Sequence, residues 1–89
     1  MLEQETTICN KLGLHARAAA KLVALASQFQ SNVEISKQDQ KVNGKSIMGV
    51  MMLAASKGTV VTVYVDGPDE EKAMADILEL VAQRFGEEE

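Results

Sequence analysis

The segment Gly13-Leu14-His15-Ala16-Arg17 holds the only histidine among 89 residues, followed by Ala18, Ala19 and Ala20. An imidazole can serve as nucleophile, acid–base group or metal ligand, and its neighbours narrow the choice. The alanines read as a helix start. Its first N–H groups, on Ala16, Arg17 and Ala18, lack intrahelical acceptors. With the positive end of the helix dipole they favour an anion beside His15. Arg17 adds a guanidinium shaped for phosphate oxygens. The same positive surroundings disfavour a charged ring, and a neutral imidazole is a nucleophile. Histidine is a weaker N-cap than Ser, Thr, Asp or Asn, so its presence there points to function. These residues suit acceptance and release of a phosphoryl group. The dipole contributes only ~0.3–1 kcal/mol in an exposed setting, which cradles an anion without trapping it. The plain alternative is a surface histidine at a loop–helix junction.

Other chemistries fit less well. Cys9 and His15, six positions apart, form no recognisable metal set, so neither metal nor cofactor is expected. Cys9 lies in a strand pattern and reads as a small buried or half-buried thiol. As the sole cysteine it excludes an internal disulfide and fits a reducing compartment. One His and one Arg supply no second acid–base group, which argues against an enzyme. Thirteen acids against nine bases, with three aromatic residues in all, argue against a nucleic-acid partner. No basic n-region opens the chain, and no apolar run approaches the ~18 residues of a membrane span. A cytoplasmic protein without membrane insertion is expected, as one domain over residues 1–89.

The elements that must hold His15 follow from periodicity. Gln4 to Cys9 alternates, with Thr6 and Ile8 on one face, and predicts a strand. Asn10 to Gly13 is turn chemistry. Ala16 to about Gln28 is helical, with Ala19, Leu22, Val23, Ala26 and Phe29 as its apolar stripe. Asn32 to Lys37 is a strand with Val33 and Ile35 inward, and Lys41 to Asn43 a short return strand after a polar connection. Ser46 is the N-cap of a short helix reaching about Leu53. Thr59 to Val65 is a strand with Val61, Val63 and Val65 on one face. Pro68 and the acids Asp69, Glu70 and Glu71 start a last helix, whose stripe is Met74, Ile77, Leu78, Val81 and Phe85. Gly86 suits its end, and Glu87 to Glu89 reads as a frayed tail. The order is β-α-β-β-α-β-α. An α+β fold follows, an antiparallel sheet covered by helices on one face.

Gly13-Leu14-His15-Ala16-Arg17 with its alanines closely resembles the active-site segment of HPr, the histidine phosphocarrier family of the bacterial phosphoenolpyruvate-dependent sugar phosphotransferase system. Asn43-Gly44-Lys45-Ser46-Ile47-Met48-Gly49-Val50-Met51 resembles the family's regulatory serine segment, and Lys57 to Val63 its last strand. The resemblance implies an open-faced β-sandwich, a four-stranded antiparallel sheet covered by three helices. It implies that His15 takes a phosphoryl group on Nδ1 from phospho-Enzyme I and passes it to an Enzyme IIA. It implies too that Arg17 balances the phosphate charge, beside the N–H groups of Ala16, Arg17 and Ala18 that the helix start offers for binding it. One position departs: Ala18 stands where the family usually has proline. The helix start is expected to persist, since a first-turn proline only removes an N–H that had no partner. The departure leaves open a nitrogen-related paralogue.

Ser46 has a structural role as N-cap, and the resemblance adds regulation through phosphorylation by an HPr kinase/phosphorylase. The helix behind it carries more apolar residues than one buried stripe needs. Val50 and Leu53 are expected in the core. Ile47, Met48 and Met51 are expected to form an exposed patch, extended by Ala20, Ala24 and Ser27 of the first helix. Adaptable methionines suit a surface that meets several partners. A monomer with transient partners is expected. The rival reading is a small ferredoxin-like regulatory domain without phosphotransfer, which gives His15 and Arg17 no task.

Overall fold

Alternating valines build the strand at the centre of the molecule. In the computed structural model, which describes residues 1–89, this strand is β4 (Val60–Asp66), with Val61, Val63 and Val65 buried. The full order is β1 (Leu2–Thr7), α1 (Ala16–Ala26), β2 (Asn32–Lys37), β3 (Gln40–Asn43), α2 (Ile47–Met52), β4, α3 (Glu70–Ala82) and a 3-10 turn (Arg84–Gly86). The sheet runs β1-β4-β2-β3, and every pairing is antiparallel. Register sets Val33 opposite Val65 and Ile35 opposite Val63, so one face is continuously apolar. The core closes against Leu22 and Ala26 of α1, Val50 of α2, and Ala73, Met74, Ile77 and Val81 of α3.

The other sheet face stays open and polar. There Glu3 and Glu34 flank Tyr64, while Glu5 and Ser36 flank Thr62. The Ser36 hydroxyl lies 3.2 Å from the Tyr64 hydroxyl, and Lys41 Nζ sits 4.1 Å over the Tyr64 ring.

The predicted elements all form, with shifted ends. β1 spans Leu2–Thr7 rather than Gln4 to Cys9, because Leu2 pairs with Val65. Beyond Thr7 the pairing passes into a connection in which Ile8 N–H donates to Thr59 O and Gly58 N–H to Ile8 O. Cys9 therefore lies past the strand, half-buried, its thiol 3.2 Å from Val81 O. α1 stops at Ala26, and Gln28 and Phe29 continue as tighter turns onto Leu25 O and Ala26 O. In the predicted stripe Ala19, Leu22, Ala26 and Phe29 are buried and Val23 half-buried.

α3 begins at Glu70, and Asp69 occupies the cap position without capping it. Its carboxylate instead accepts from Gln30 N (2.9 Å), Ser31 N (3.0 Å) and the Ser31 hydroxyl. One acid thus ties the start of α3 to the loop between α1 and β2.

The stretch after α3 contradicts the frayed reading. Arg84 and Phe85 both adopt left-handed backbone, at φ 57 and 55, and turn the chain back toward α1. Such residues cost about 1–2 kcal/mol each. Burying the Phe85 side chain completely offsets this by roughly 1.5–3 kcal/mol. Lys21 Nζ donates to Phe85 O at 2.8 Å, and the Lys11 backbone N–H donates to Glu89 O. Phe85 and Glu87 are therefore held in place, while Glu88 and Glu89 stay exposed.

Candidate functional site

A left-handed Gly13 (φ 66) closes the turn after Asn10 and sets Leu14 N–H on Ala55 O at 2.9 Å. Leu14 is buried, and the chain emerges from it at His15. His15 is extended (φ −73, ψ 178) and is the N-cap of α1: Nδ1 accepts from the Arg17 backbone N–H at 3.3 Å. The imidazole itself thus serves as the cap that serine or aspartate usually provides. The N–H groups of Ala16 and Ala18 have no protein acceptor. Ala19 N–H makes the first intrahelical bond, onto His15 O at 2.8 Å. α1 starts at Ala16 with Ala18 in its first turn, so the departure from proline leaves the helix start intact. Ala18 is fully buried and belongs to the core.

The opposite nitrogen of the ring meets a group that sequence reading missed. His15 Nε2 pairs with the Glu87 carboxylate. Glu87 also accepts from Asn10 Nδ2 at 3.0 Å, and the Asn10 amide bonds Gly13 O at 2.8 Å. That Asn10 bond, helped by the His15 ring and the Arg17 charge, holds the Glu87 carboxyl below the usual carboxylate range, against partial burial. The His15 side chain keeps 28% of its exposure and Glu87 14%, so the ring faces solvent while the acid lies beneath it. Lys11, Leu12, Arg17 and Lys21 line the same depression, as do the acids Glu88 and Glu89. The Arg17 guanidinium forms no ion pair or hydrogen bond and is exposed. No group of three or more His, Cys, Asp or Glu side chains is placed to hold a metal ion.

The second predicted site lies on α2. Ser46 is its N-cap, and the hydroxyl accepts from Gly49 N at 3.1 Å. Val50 and Leu53 are buried, while Ile47, Met48 and Met51 are exposed, Met48 by 75%. Met52, 66% exposed, adds a residue that was not singled out. α1 packs beside α2, and Ala20, Ala24 and Ser27 are exposed on it. Leu12, equally exposed beside His15, was also missed. An apolar residue within the turn Asn10 to Gly13 was the available signal, because turn chemistry gives it no structural task.

An open-faced sandwich that presents one half-exposed imidazole as the cap of a helix, amid unpaired N–H groups, defines a class of small proteins that carry an anionic group rather than transform one. Comparison with known proteins gives the family. The family profile described as PTS HPr component phosphorylation site matches residues 2–83. The phosphocarrier protein HPr of Cupriavidus necator is 60% identical over 89 residues, covering all of both chains. The phosphocarrier protein NPr of Shewanella violacea is 43% identical, over 97% of this chain and 94% of its own. The crystal structure of HPr-C-His from Thermoanaerobacter tengcongensis superposes with a TM-score of 0.96 at 47% identity, covering all of both chains. The chain belongs to the HPr family, the phosphocarrier proteins of the phosphotransferase system. It carries a phosphoryl group and is not an enzyme with a substrate of its own; the ferredoxin-like alternative is not favoured.

Proposed function

We propose that residues 1–89 act as one cytoplasmic phosphocarrier domain in which His15 accepts the phosphoryl group on Nδ1. The donor is phospho-Enzyme I and the acceptor an Enzyme IIA protein. The observation that carries this reading is the capping imidazole. Nδ1 already faces the helix start, so a phosphoryl group bonded to it lies against the N–H groups of Arg17, Ala16 and Ala18. On phosphorylation the Arg17 N–H exchanges the nitrogen lone pair for a phosphoryl oxygen, a stronger, charge-assisted bond. The Arg17 guanidinium is free to balance the dianion. The protein has only to position the group for in-line transfer in each direction.

The patch of Ile47, Met48 and Met51, with Ala20, Ala24 and Ser27 beside it, is the contact surface for these partners. Ser46 is a regulatory site for an HPr kinase/phosphorylase. Phosphoserine there carries about −1.5 to −2 charges at the margin of an apolar patch that must lose its water on docking. The 60% identity to an HPr against 43% to an NPr favours an HPr-type over an NPr-type carrier.

The test is intact mass after incubation with phosphoenolpyruvate and purified Enzyme I, repeated with His15→Ala. One acid-labile phosphoryl group on the parent, absent from the variant, is the expected result. A parent left unmodified by both sugar-type and nitrogen-type Enzyme I, or a variant modified like the parent, overturns the assignment.

A further inference from the structure

We infer that Glu87 is a positioning residue for phosphoryl transfer at His15, fixing the ring as its Nε2–H tautomer and balancing the positive charge the ring gains on phosphorylation. The inference rests on the carrier reading of His15.

The two ring nitrogens have partners of opposite character. A carboxylate only accepts, so Nε2 beside Glu87 must carry the proton. A backbone N–H only donates, so Nδ1 beside Arg17 N must present its lone pair. The nitrogen proposed to attack phosphorus is therefore the one left unprotonated. This selection needs Glu87 held firmly, and the structure holds it from two sides. Asn10, fully buried, bonds both the Glu87 carboxylate and Gly13 O, so one amide ties the acid to the turn that delivers His15. Phe85, fully buried two residues earlier, anchors the backbone.

The chemistry then balances without a proton to remove. The Nδ1 lone pair attacks phosphorus, and a P–N bond forms. The bond from phosphorus to the donor atom of phospho-Enzyme I breaks, and its electron pair leaves with the donor. Nε2 keeps its hydrogen, so the His15 ring becomes a phosphoimidazolium whose positive charge lies against the Glu87 carboxylate. A carboxylate placed behind an imidazole in this way selects the tautomer and stabilises the cation that forms. On delivery the P–N electron pair returns to Nδ1, and the ring is again neutral with the same hydrogen on Nε2. Neither direction waits for a base.

The experiment compares the parent, Glu87→Gln and Glu87→Ala. Nitrogen-15 spectra of the ring at about pH 8.5, above the ordinary imidazole range, read the tautomer. Rapid-mixing kinetics with phospho-Enzyme I read phosphoryl acceptance. The parent should hold the Nε2–H form. Glu87→Gln keeps an oxygen acceptor and should keep that tautomer while accepting phosphate several-fold more slowly, since the charge is gone. Glu87→Ala should populate both tautomers and slow acceptance roughly tenfold. A Glu87→Ala chain with the parent's tautomer and rate overturns the inference. A parent that holds the Nε2–H form yet takes no phosphoryl group overturns the carrier reading instead.

Discussion

Replacing Gly13 with alanine strains the turn that delivers His15 in two separable ways. The backbone there is left-handed, at φ +66, which costs an alanine about 1–2 kcal/mol. A Cβ would also lie 2.3 Å from Ala55 O and 2.8 Å from Ser56 Cα, backbone atoms that cannot rotate aside. Ala55 O is the acceptor for Leu14 N–H, so moving it to admit the methyl forfeits about 1 kcal/mol more. The two effects add to about 2–3 kcal/mol. In a domain of this length each kcal/mol lowers Tm by about 4–8 °C, so a fall of roughly 10–20 °C is expected by scanning calorimetry. Gly58→Ala is the control. Its φ is +90, but nothing lies within 4 Å of the added Cβ, so only the backbone cost remains and the fall should be about half to two-thirds as large. Phosphoryl acceptance, measured well below both transitions, should slow for Gly13→Ala and not for Gly58→Ala. Equal Tm shifts for the two variants, or a Gly13→Ala shift below about 3 °C, would refute the argument that Ala55 confines the turn.

Two further outcomes follow from the capping and acidic contacts. Ser46→Ala removes the bond from Gly49 N and should cost about 1 kcal/mol in chemical denaturation, whereas Ser46→Asp keeps a capping oxygen and should retain stability yet bind Enzyme I about tenfold more weakly in titration. Equal affinity for Ser46→Asp and the parent would remove the proposed regulation. Asp69 is held below the usual carboxylate range by the Ser31 hydroxyl first and the Gln30 N–H next. A lowered pKa in the folded state stabilises above the unfolded value, and that contribution disappears as pH falls through the folded one. The Tm gap between the parent and Asp69→Asn should therefore be widest near neutrality and narrow steadily below about pH 4, and a gap constant down to pH 2 would contradict it.

Strands and helices were legible wherever one face is buried and the other wet. β4 and β2 place their apolar residues at every second position, and α2 splits Val50 and Leu53 inward from Ile47, Met48 and Met51 as a 3.6-residue period requires. The sheet order β1-β4-β2-β3 was not legible, because alternating strands of similar composition do not name their partners. Asp69 misled in a related way: it has the residue type of an N-cap, but its carboxylate is claimed by Gln30 and Ser31 across the fold. His15 was found because its type conflicts with its position. Glu87 carried no such conflict. Three acids after a glycine have no period, and their role comes from two left-handed residues and a buried Phe85 that bend the chain back over α1.

The open face of the sheet has its own consequence. Glu3, Glu5, Glu34, Thr62 and Tyr64 lie on it, and none of the residues proposed for docking or transfer does. A carrier handed between partners through one side has a spare side by which it can be held. A dye, a surface tether or a fused domain attached through Glu5 or Thr62 would ride along without standing between His15 and whatever approaches it. Exchange of the cargo could then be followed on single anchored molecules, at the pace set by encounter in free solution.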